Sequence, residues 1–284
     1  MIIWLASYPK SGNTWMRALV SNIIFPKTNK NINTFEKIYK INSYPQLKHY
    51  EGIINKDDDK QSRIEKTYQN WDITQTKINL SNSLRIFKTH NYATQLIKDN
   101  KKYQFTNLEN SIGVIHIVRD PRNVITSLTH HFTKTYEEAF EMMADKNAII
   151  AANDKSHVPE FLSSWDIHYK SWSSFPKNYL LIRYEDLLSD SKTHINRIVK
   201  YLSKFYIIKD VDIENIAEET NFNSLKKLEK NQDFKESVAD KKTNNKKKFF
   251  NLGPRNDWRN LLSYEMRKKI EDKFGSTMKT LGYL

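Results

Sequence analysis

The sequence predicts an α/β protein with three layers (α/β/α), in which a central parallel β-sheet is covered by helices on both faces. Three observations support this fold class. Four apolar segments have the composition of buried strands, and a helical pattern follows each of them further along the chain. Polar residues also come directly after these strands, at the edge of a parallel sheet where ligands bind.

The elements are assigned in chain order. The predicted strands are IIWLASY (2–8), LRIFKTH (84–90), VIHIVRD (114–120) and YLLIRYEDL (179–187). The predicted helices are Thr14–Phe25, Pro121–Phe132, Glu160–Phe175, Ser191–Phe205, Asp212–Asn231 and Ser263–Leu281. Pro121 fits the first turn of its helix, where its missing N–H costs nothing.

Two long segments do not fit this alternation. Residues 26–80 and 133–159 are polar and weakly periodic, so we interpret them as excursions from the sheet that act as lids or substrate-binding segments. The sequence contains no repeat, no low-complexity linker and no convincing boundary. We therefore expect a single domain that spans residues 1–284.

Composition narrows the class of protein. A chain of 284 residues can bury a sizeable core, and the lack of cysteine excludes disulfides and thiolate metal sites. No segment approaches the length of a membrane span, so we expect a soluble, cytoplasmic protein. The net charge is +13, with five of the lysines in DKKTNNKKKFF (240–250), and this pattern favours an anionic ligand over a nucleic acid.

The first strand runs into a loop, SYPKSGNTW, that has the composition of an anion-binding site. Gly12 lets the backbone approach an oxyanion, and the helix that starts near Thr14 directs N–H groups at it. Lys10 adds a charge, but it precedes Gly12, whereas the ATP- and GTP-binding pattern has its lysine near the end of the loop. The alternative is an ordinary strand-to-helix turn with a serine cap.

Two further strand ends carry candidate catalytic or binding residues. Lys88 and His90 are two residues apart and point to the same side, and histidine is the usual general base near neutral pH. Arg119 ends the third strand, and an arginine suits bidentate capture of a phosphate. Taken singly, each has a structural alternative: a solvent-exposed pair of side chains, and an ion pair of Arg119 with Asp120.

Taken together, the motifs closely resemble those of the sulfotransferase family. The pattern Y-P-K-S-G-x-T-W is followed by K-T-H and by V-R-D-P-R-N-V-x-x-S, in the family's order. RYEDLL, TNF (220–222), SWDIHYKSW and GPRNDWRNLLS match later family segments, so the resemblance covers most of the chain. It implies a P-loop nucleotide-kinase-like fold and 3′-phosphoadenosine 5′-phosphosulfate (PAPS) as donor, with adenosine 3′,5′-bisphosphate (PAP) as product.

The resemblance also implies the donor-binding residues. These are Lys10, Ser11, Gly12, Asn13, Thr14, Trp15, Arg119, Ser127, Tyr184, Thr220, Phe222, Gly253 and Arg255. Residues 11–14 would hold the 5′-phosphate, and Trp15 and Phe222 would enclose the adenine. Arg119 and Ser127 would bind the 3′-phosphate, and the remaining residues would complete the pocket.

The implied reaction needs three catalytic side chains. Lys10 would neutralise charge on the bridging oxygen as the sulfonate leaves, and Lys88 would hold the sulfonate oxygens. His90 would take the proton of the attacking hydroxyl or amine. We expect no metal requirement, because a sulfonate carries less charge than a phosphoryl group.

The chain departs from the family pattern near its C-terminus. The expected Arg-Lys-Gly is Asn251-Leu252-Gly253 here, so two cations for the 3′-phosphate are missing. Arg255, Lys247 and Lys248 lie close enough in sequence to replace them, and residues 240–259 would then cover the cofactor. The alternative is that the lysine run at 241–248 is a disordered basic loop.

Other questions stay open at the level of sequence. There are two alternative functions. One is an ATP-dependent small-molecule kinase, and the other is a non-catalytic protein that binds an anion or a polysaccharide. The expected acceptor is a small molecule or a saccharide. Residues 26–80 and 133–159 would bind it, and His130 and His131 could line its pocket. The helix face of Trp165, His168 and Trp172 is interpreted as packed core. The oligomeric state is unknown.

Overall fold

The computed structural model describes residues 1–25, 32–151, 154–232, 234–237 and 247–284. The chain forms two compact units. The first consists of Met1–Tyr8, Asn42–Val118 and Met143–Leu181, and the second of Pro9–Ile41, Arg119–Met142 and Ile182–Leu284.

Nine strands lie in the described residues. They are β1 (Ile2–Ala6), β2 (Asn42–Ser43), β3 (Arg85–Thr89), β4 (Gln95–Lys98), β5 (Lys101–Gln104), β6 (Ser111–Val118), β7 (Ile149–Ile150), β8 (Glu160–Phe161) and β9 (Tyr179–Arg183). The main sheet has the order β2-β3-β1-β6-β9. β1 pairs in parallel with β3 and with β6, and β2 pairs in parallel with β3. The predicted parallel α/β fold is therefore confirmed.

Thirteen α-helices lie in the same residues. They are α1 (Asn13–Ile24), α2 (Thr34–Ile38), α3 (Lys60–Gln69), α4 (Trp71–Asn79), α5 (Pro121–Phe132), α6 (Tyr136–Ala144), α7 (Trp165–Ser173), α8 (Tyr184–Ser189), α9 (Ser191–Leu202), α10 (Ile213–Thr220), α11 (Phe222–Asn231), α12 (Trp258–Leu261) and α13 (Tyr264–Thr280). Leu47–Tyr50 and Gly253–Arg255 form short 3-10 helices. None of these helices is long and apolar enough to cross a membrane.

An aromatic cluster forms the core of the first unit. Trp4, at the centre of β1, packs at ring-centroid distances of 5.4 Å from Tyr44, 5.2 Å from Phe105 and 6.3 Å from Trp172. Its indole Nε1–H donates to Ser111 Oγ at 2.7 Å, so the polar atom of this buried ring is paired. This cluster fixes β1 against its neighbours and thereby the start of the loop that follows.

A second apolar cluster lies in the second unit. Its buried members are Ala18, Phe35, Ile38, Leu225, Phe234 and Phe250, and Trp15 and Phe222 pack against it. The rings of Phe35 and Phe234 pack in a tilted arrangement, with centroids 4.6 Å apart. The cluster therefore holds both predicted adenine-binding rings in place.

The structure corrects two predicted helices. Glu160–Phe175 does not form one helix, because Glu160–Phe161 is a strand that pairs with β7 and α7 begins only at Trp165. The predicted helix Asp212–Asn231 is two helices: the side chain of Asn221 accepts from the N–H of Ser224 at 2.9 Å and caps α11. Within 26–80, Asn42–Ser43 joins the main sheet, which the sequence did not predict.

Candidate active site

The loop between β1 and α1 has the backbone geometry of an anion-binding site. Lys10 and Gly12 both adopt positive φ, at 66° and 105°, and α1 begins at Asn13. Alternation of this kind turns neighbouring N–H groups toward one point. The first turn of α1 contains no acidic residue of its own.

Among the buried side-chain atoms that have no hydrogen-bond partner in the described part of the chain, three belong to this loop, to the start of α1 or to Arg119. They are Ser11 Oγ, Trp15 Nε1 and Arg119 Nε. An unpaired buried polar group is destabilising, and such groups in native proteins commonly bond to a ligand or an ordered water. Each of these three atoms can donate, which suits an anion.

Arg119 and Ser127, which are both predicted to bind the 3′-phosphate, lie in contact. Arg119 Nη1 donates to Ser127 Oγ at 3.2 Å and to the Lys10 carbonyl at 3.2 Å. The guanidinium also lies 4.2 Å from the ring centroid of Tyr184, so three of the predicted donor-binding residues are in direct contact. Burial raises the pKa of Tyr184.

Asn256 supports Ser127, and sequence reasoning did not identify it. Asn256 Nδ2 donates to Ser127 Oγ at 2.9 Å and to the Asn123 carbonyl at 3.0 Å. Ser127 Oγ thus accepts from both Asn256 and Arg119, which uses its two lone pairs. The hydroxyl proton of Ser127 is left to donate to a further acceptor, as contact with a phosphate requires.

The two predicted adenine-binding rings have different neighbours in the second unit. Trp15 packs edge-on against Tyr184, with ring centroids 5.4 Å apart. Gly253 has a φ of 56°, and a Cβ added there would overlap the ring of Phe222. The glycine retained in the C-terminal motif therefore gives Phe222 its space. Thr220 is buried, and its hydroxyl donates to the Ile216 carbonyl at 2.7 Å.

Sequence reasoning missed Glu236, whose carboxylate bonds to side chains at the start of α1. Glu236 Oε1 bonds to Arg17 Nη2 at 2.5 Å, and Glu236 Oε2 accepts from the Thr14 hydroxyl at 3.1 Å. Arg17 is almost fully buried. An arginine in the otherwise apolar run MRALV was the only signal in the sequence that an anionic partner was needed.

The side chain of Lys10 is held by an aromatic ring. Lys10 Nζ lies 4.4 Å from the ring centroid of Phe249. Burial, followed by the nearby charge of Lys10, lowers the pKa of His131 to about 3, so this imidazole is neutral at pH 7. The imidazole of His131 therefore adds no positive charge near Lys10 at pH 7.

The proposed replacements for the missing Arg-Lys pair differ in their surroundings. Lys247 Nζ donates to the His130 carbonyl at 3.2 Å and to Thr133 Oγ1 at 3.0 Å. The side chain of Arg255 is exposed. Residues 238–246, which include most of the lysine run at 241–248, lie outside the described residues, so the covering-loop prediction there stays a prediction.

His90 is oriented by the first unit. It follows β3, and its Nδ1 lies 2.8 Å from the Ser7 carbonyl oxygen. A carbonyl can only accept, so Nδ1 is the protonated nitrogen and Nε2 is the basic one. Lys88 and His90 are both half-buried, and Thr89 between them is fully buried, which agrees with the predicted alternation.

Other sequence interpretations are settled by contacts. Asp120 forms an ion pair of 2.7 Å with Arg122 rather than with Arg119, so this carboxylate has a structural role. Trp165, His168 and Trp172 are all buried, and the packed-face interpretation is confirmed.

The fold and the loop define a class first: an α/β protein of the P-loop type, with a loop after its first strand whose backbone geometry suits an anion. The family follows from comparison with known proteins. The model described as "Sulfotransferase domain" matches residues 2–282, and the chain belongs to the sulfotransferase family. It is therefore an enzyme that transfers a sulfonate group, and the two alternative functions are not favoured.

Relatives and solved structures agree with this assignment. "Cytosolic sulfotransferase 10" of Arabidopsis thaliana is 25% identical over 284 residues, which cover 95% of this chain and 75% of the relative. "Flavonol 3-sulfotransferase" of Flaveria bidentis is 25% identical over 288 residues, with 97% and 82% covered. A mouse sulfotransferase, SULT7A1, complexed with PAP has the same fold, with a TM-score of 0.59 and 20% identity over 97% of this chain and 83% of that one.

Proposed function

We propose that this enzyme transfers the sulfonate of PAPS to a hydroxyl or amine of a polar small molecule and releases PAP. The observation that supports this donor best is the contact group of Arg119, Ser127 and Tyr184, because a guanidinium and a directed hydroxyl suit a second phosphate. An ATP-type donor has no phosphate on its ribose and would leave this group without a partner.

The residues of the second unit fit the donor in three ways. The positive-φ turn at Lys10 and Gly12 and the start of α1 suit the 5′-phosphosulfate. The unpaired donors of Ser11 and Arg119 gain acceptors from it. Trp15 and Phe222 offer flat faces for the adenine.

The proposed chemistry is an in-line displacement at sulfur. The acceptor oxygen or nitrogen forms the new bond to sulfur while the bond from sulfur to the bridging oxygen breaks. Lys10 neutralises the charge that collects on the departing 5′-phosphate, and Lys88 binds the sulfonate oxygens. His90 Nε2 takes the acceptor proton, and the Nδ1–H bond to Ser7 stabilises the imidazolium that results.

The acceptor proposal is supported by a cleft in the first unit. This cleft of about 670 Å³ is lined by residues of both predicted excursions, including Lys60, Gln61, Asp145, Asn147, Ile149 and Asp154. Ile149 pairs with Phe161 in the hairpin of β7 and β8, and the neighbouring Glu160 accepts a hydrogen bond from the His90 N–H at 3.1 Å. The cleft is therefore connected to the His90 backbone through one strand pair.

The lining of this cleft favours a hydrophilic acceptor. Charged and amide side chains outnumber apolar ones there, and such groups select ligands by hydrogen bonds. We propose an acceptor that carries several hydroxyl or amino groups, and a saccharide is one member of that class.

The donor proposal is tested by ligand-induced stabilisation. PAP should raise the melting temperature by several degrees, whereas Mg-ATP at the same concentration should have little effect. Equal stabilisation by both ligands would refute the donor assignment. Transfer of labelled sulfonate from PAPS to a panel of phenolic, polyol and amino-sugar acceptors then tests the acceptor class, and Asp145→Asn should reduce turnover of the preferred acceptor only.

A further inference from the structure

Helix α7 is joined by side-chain hydrogen bonds to residues 90–93, which we name the His90 loop. His168 Nε2 lies 3.1 Å from the His90 carbonyl oxygen, and Trp172 Nε1 donates to the Asn91 carbonyl at 2.9 Å. These two side chains are four residues apart and share one face of α7. Ser171 Oγ also accepts from the Ala93 N–H at 2.9 Å.

Strand β8 forms hydrogen bonds with further polar groups of the same loop. The His90 N–H donates to Glu160 Oε2 at 3.1 Å, and the Tyr92 N–H donates to the Phe161 carbonyl at 2.8 Å. The Asn91 side chain accepts from the Phe161 N–H at 2.8 Å. The peptide groups on both sides of His90 are thus bonded to side chains of residues 160–168.

The tautomer and protonation state of His168 make its Nε2–H a constant hydrogen-bond donor. A carbonyl only accepts, so Nε2 carries the proton, and Nδ1 is buried without a hydrogen-bond partner in the described residues. Burial lowers the pKa of His168 to about 3, so the ring is neutral at working pH. An apolar ring would fill the same space, but it would leave the His90 carbonyl without this donor.

We propose that His168 is a positioning residue for the base: its N–H and the carboxylate of Glu160 fix the backbone of His90 so that its Nε2 is held for proton transfer. This inference rests on the proposed role of His90. A misplacement of about 1 Å in a reacting group costs on the order of a hundredfold in rate, so backbone control at this residue matters for turnover.

The test uses two substitutions and a matched control. His168→Phe keeps the ring volume and removes the donor, and His168→Gln keeps an N–H that reaches the same carbonyl. His116→Phe is the control, because His116 is also buried and bonds to the Tyr179 hydroxyl at 3.0 Å instead of the His90 loop. Each variant is first compared with the wild type by melting temperature and by affinity for PAP.

We expect His168→Phe to lower kcat by at least about tenfold, with KM for the donor and PAP affinity within twofold of wild type. His168→Gln should recover most of that loss, and His116→Phe should lower the melting temperature but keep kcat. A kcat for His168→Phe within twofold of wild type, or an equal loss in His116→Phe, would overturn the proposal.

Failure of the proposed base is detected separately. If His90→Ala retains turnover, the base assignment fails whatever His168 does. The ¹⁵N spectrum of the His90 imidazole still decides the positioning question: we expect His168→Phe to weaken the preference for the Nδ1–H form. An unchanged His90 spectrum in that variant would overturn the inference.

Discussion

The hydroxyl of Thr14, in the first turn of α1, donates a hydrogen bond of 3.1 Å to the carboxylate of Glu236. The same carboxylate pairs with the buried Arg17 at 2.5 Å. A donor phosphate bound at the start of α1, as we propose, would use the Thr14 hydroxyl and the positive field that Glu236 now neutralises. Glu236 would then compete with this phosphate for the same groups.

This competition predicts that Glu236→Gln binds PAP more tightly. We expect the affinity to rise about tenfold, or ~1.4 kcal/mol, because the like charge is removed. The variant should also be less stable without ligand, since Arg17 loses its ionic partner in a buried setting. Isothermal titration with PAP measures the first effect, and thermal unfolding the second.

The matched control for this variant is Glu214→Gln. Glu214 forms an exposed ion pair with Lys192 at 2.5 Å, so its substitution removes one negative charge that has no hydrogen bond to Thr14 or Arg17 among the described contacts. Equal gains in PAP affinity from both variants would show a general charge effect and contradict the competition.

Lys10 is expected to act mainly on the chemical step. Lys10→Met keeps the length of the side chain and its packing on Phe249 but removes the charge. We expect kcat to fall by about a hundredfold to a thousandfold, the cost of losing one group that stabilises developing charge, with a smaller loss of PAP affinity. Single-turnover kinetics with labelled PAPS measures the step. Equal losses in kcat and in ground-state affinity would argue for a binding role alone.

The buried histidines predict a dependence of stability on pH. The folded pKa of His168 is lowered to about 3, so between pH 6.5 and 3 the unfolded chain binds more protons at this residue than the folded one. Stability therefore falls as the pH drops below 6.5, by up to ~1.4 kcal/mol per pH unit for each such imidazole. His116 adds to the effect, because burial also lowers its pKa.

The measurement is the free energy of unfolding from pH 7 to pH 4.5. His168→Phe should flatten this profile relative to wild type, even though its absolute stability is lower. Trp172→Phe replaces a buried side chain on the same helix face, and tryptophan does not titrate. The pH profile of this variant should therefore run parallel to that of the wild type. A wild-type slope retained in His168→Phe would assign the acid sensitivity to other groups.

Sequence reasoning identified the residues that lie in short motifs at strand ends. The loop around Gly12 and the grouping of Arg119 with Ser127 could be predicted because strand composition, helix starts and motif spacing are local properties. The positive φ of Lys10 and the direct Arg119–Ser127 bond appear only in the structure. Glu236 could not be found in this way. It is 222 residues from Thr14 and belongs to no motif, so only the packing of the second unit brings it to α1.

The interpretation of α7 shows the same limit. Helical spacing of Trp165, His168 and Trp172 predicted a buried face, and the face is buried. Periodicity does not reveal what a buried N–H donates to, so the bonds from His168 and Trp172 to the His90 loop appear only in the structure. Asn221 is a similar case: a side-chain cap ended a helix that the apolar pattern would have continued.

Two cations near the C-terminal motif are expected to assist the nucleotide. Arg255 and Lys248 are both exposed and lie close in sequence to the retained Gly253, before which the family pattern has an arginine and a lysine. Arg255→Ala and Lys248→Ala should each weaken PAP binding by about threefold to tenfold, with stronger effects at low salt, because the charges are solvent-exposed. Unchanged PAP affinity in both variants would defeat the idea that 240–259 covers the cofactor.

Asn256 should control discrimination for the 3′-phosphate. Its Nδ2 donates to Ser127 Oγ at 2.9 Å and, together with Arg119, directs the Ser127 proton outward. In Asn256→Ala this proton is free to turn back, so we expect PAP affinity to fall about tenfold while affinity for adenosine 5′-phosphate stays within twofold. Ser127→Ala should show the same selective loss, and Asn260→Ala, at an exposed position nearby in sequence, should show none. The ratio of the two dissociation constants is the decisive measurement, because damage to the fold would weaken both nucleotides alike.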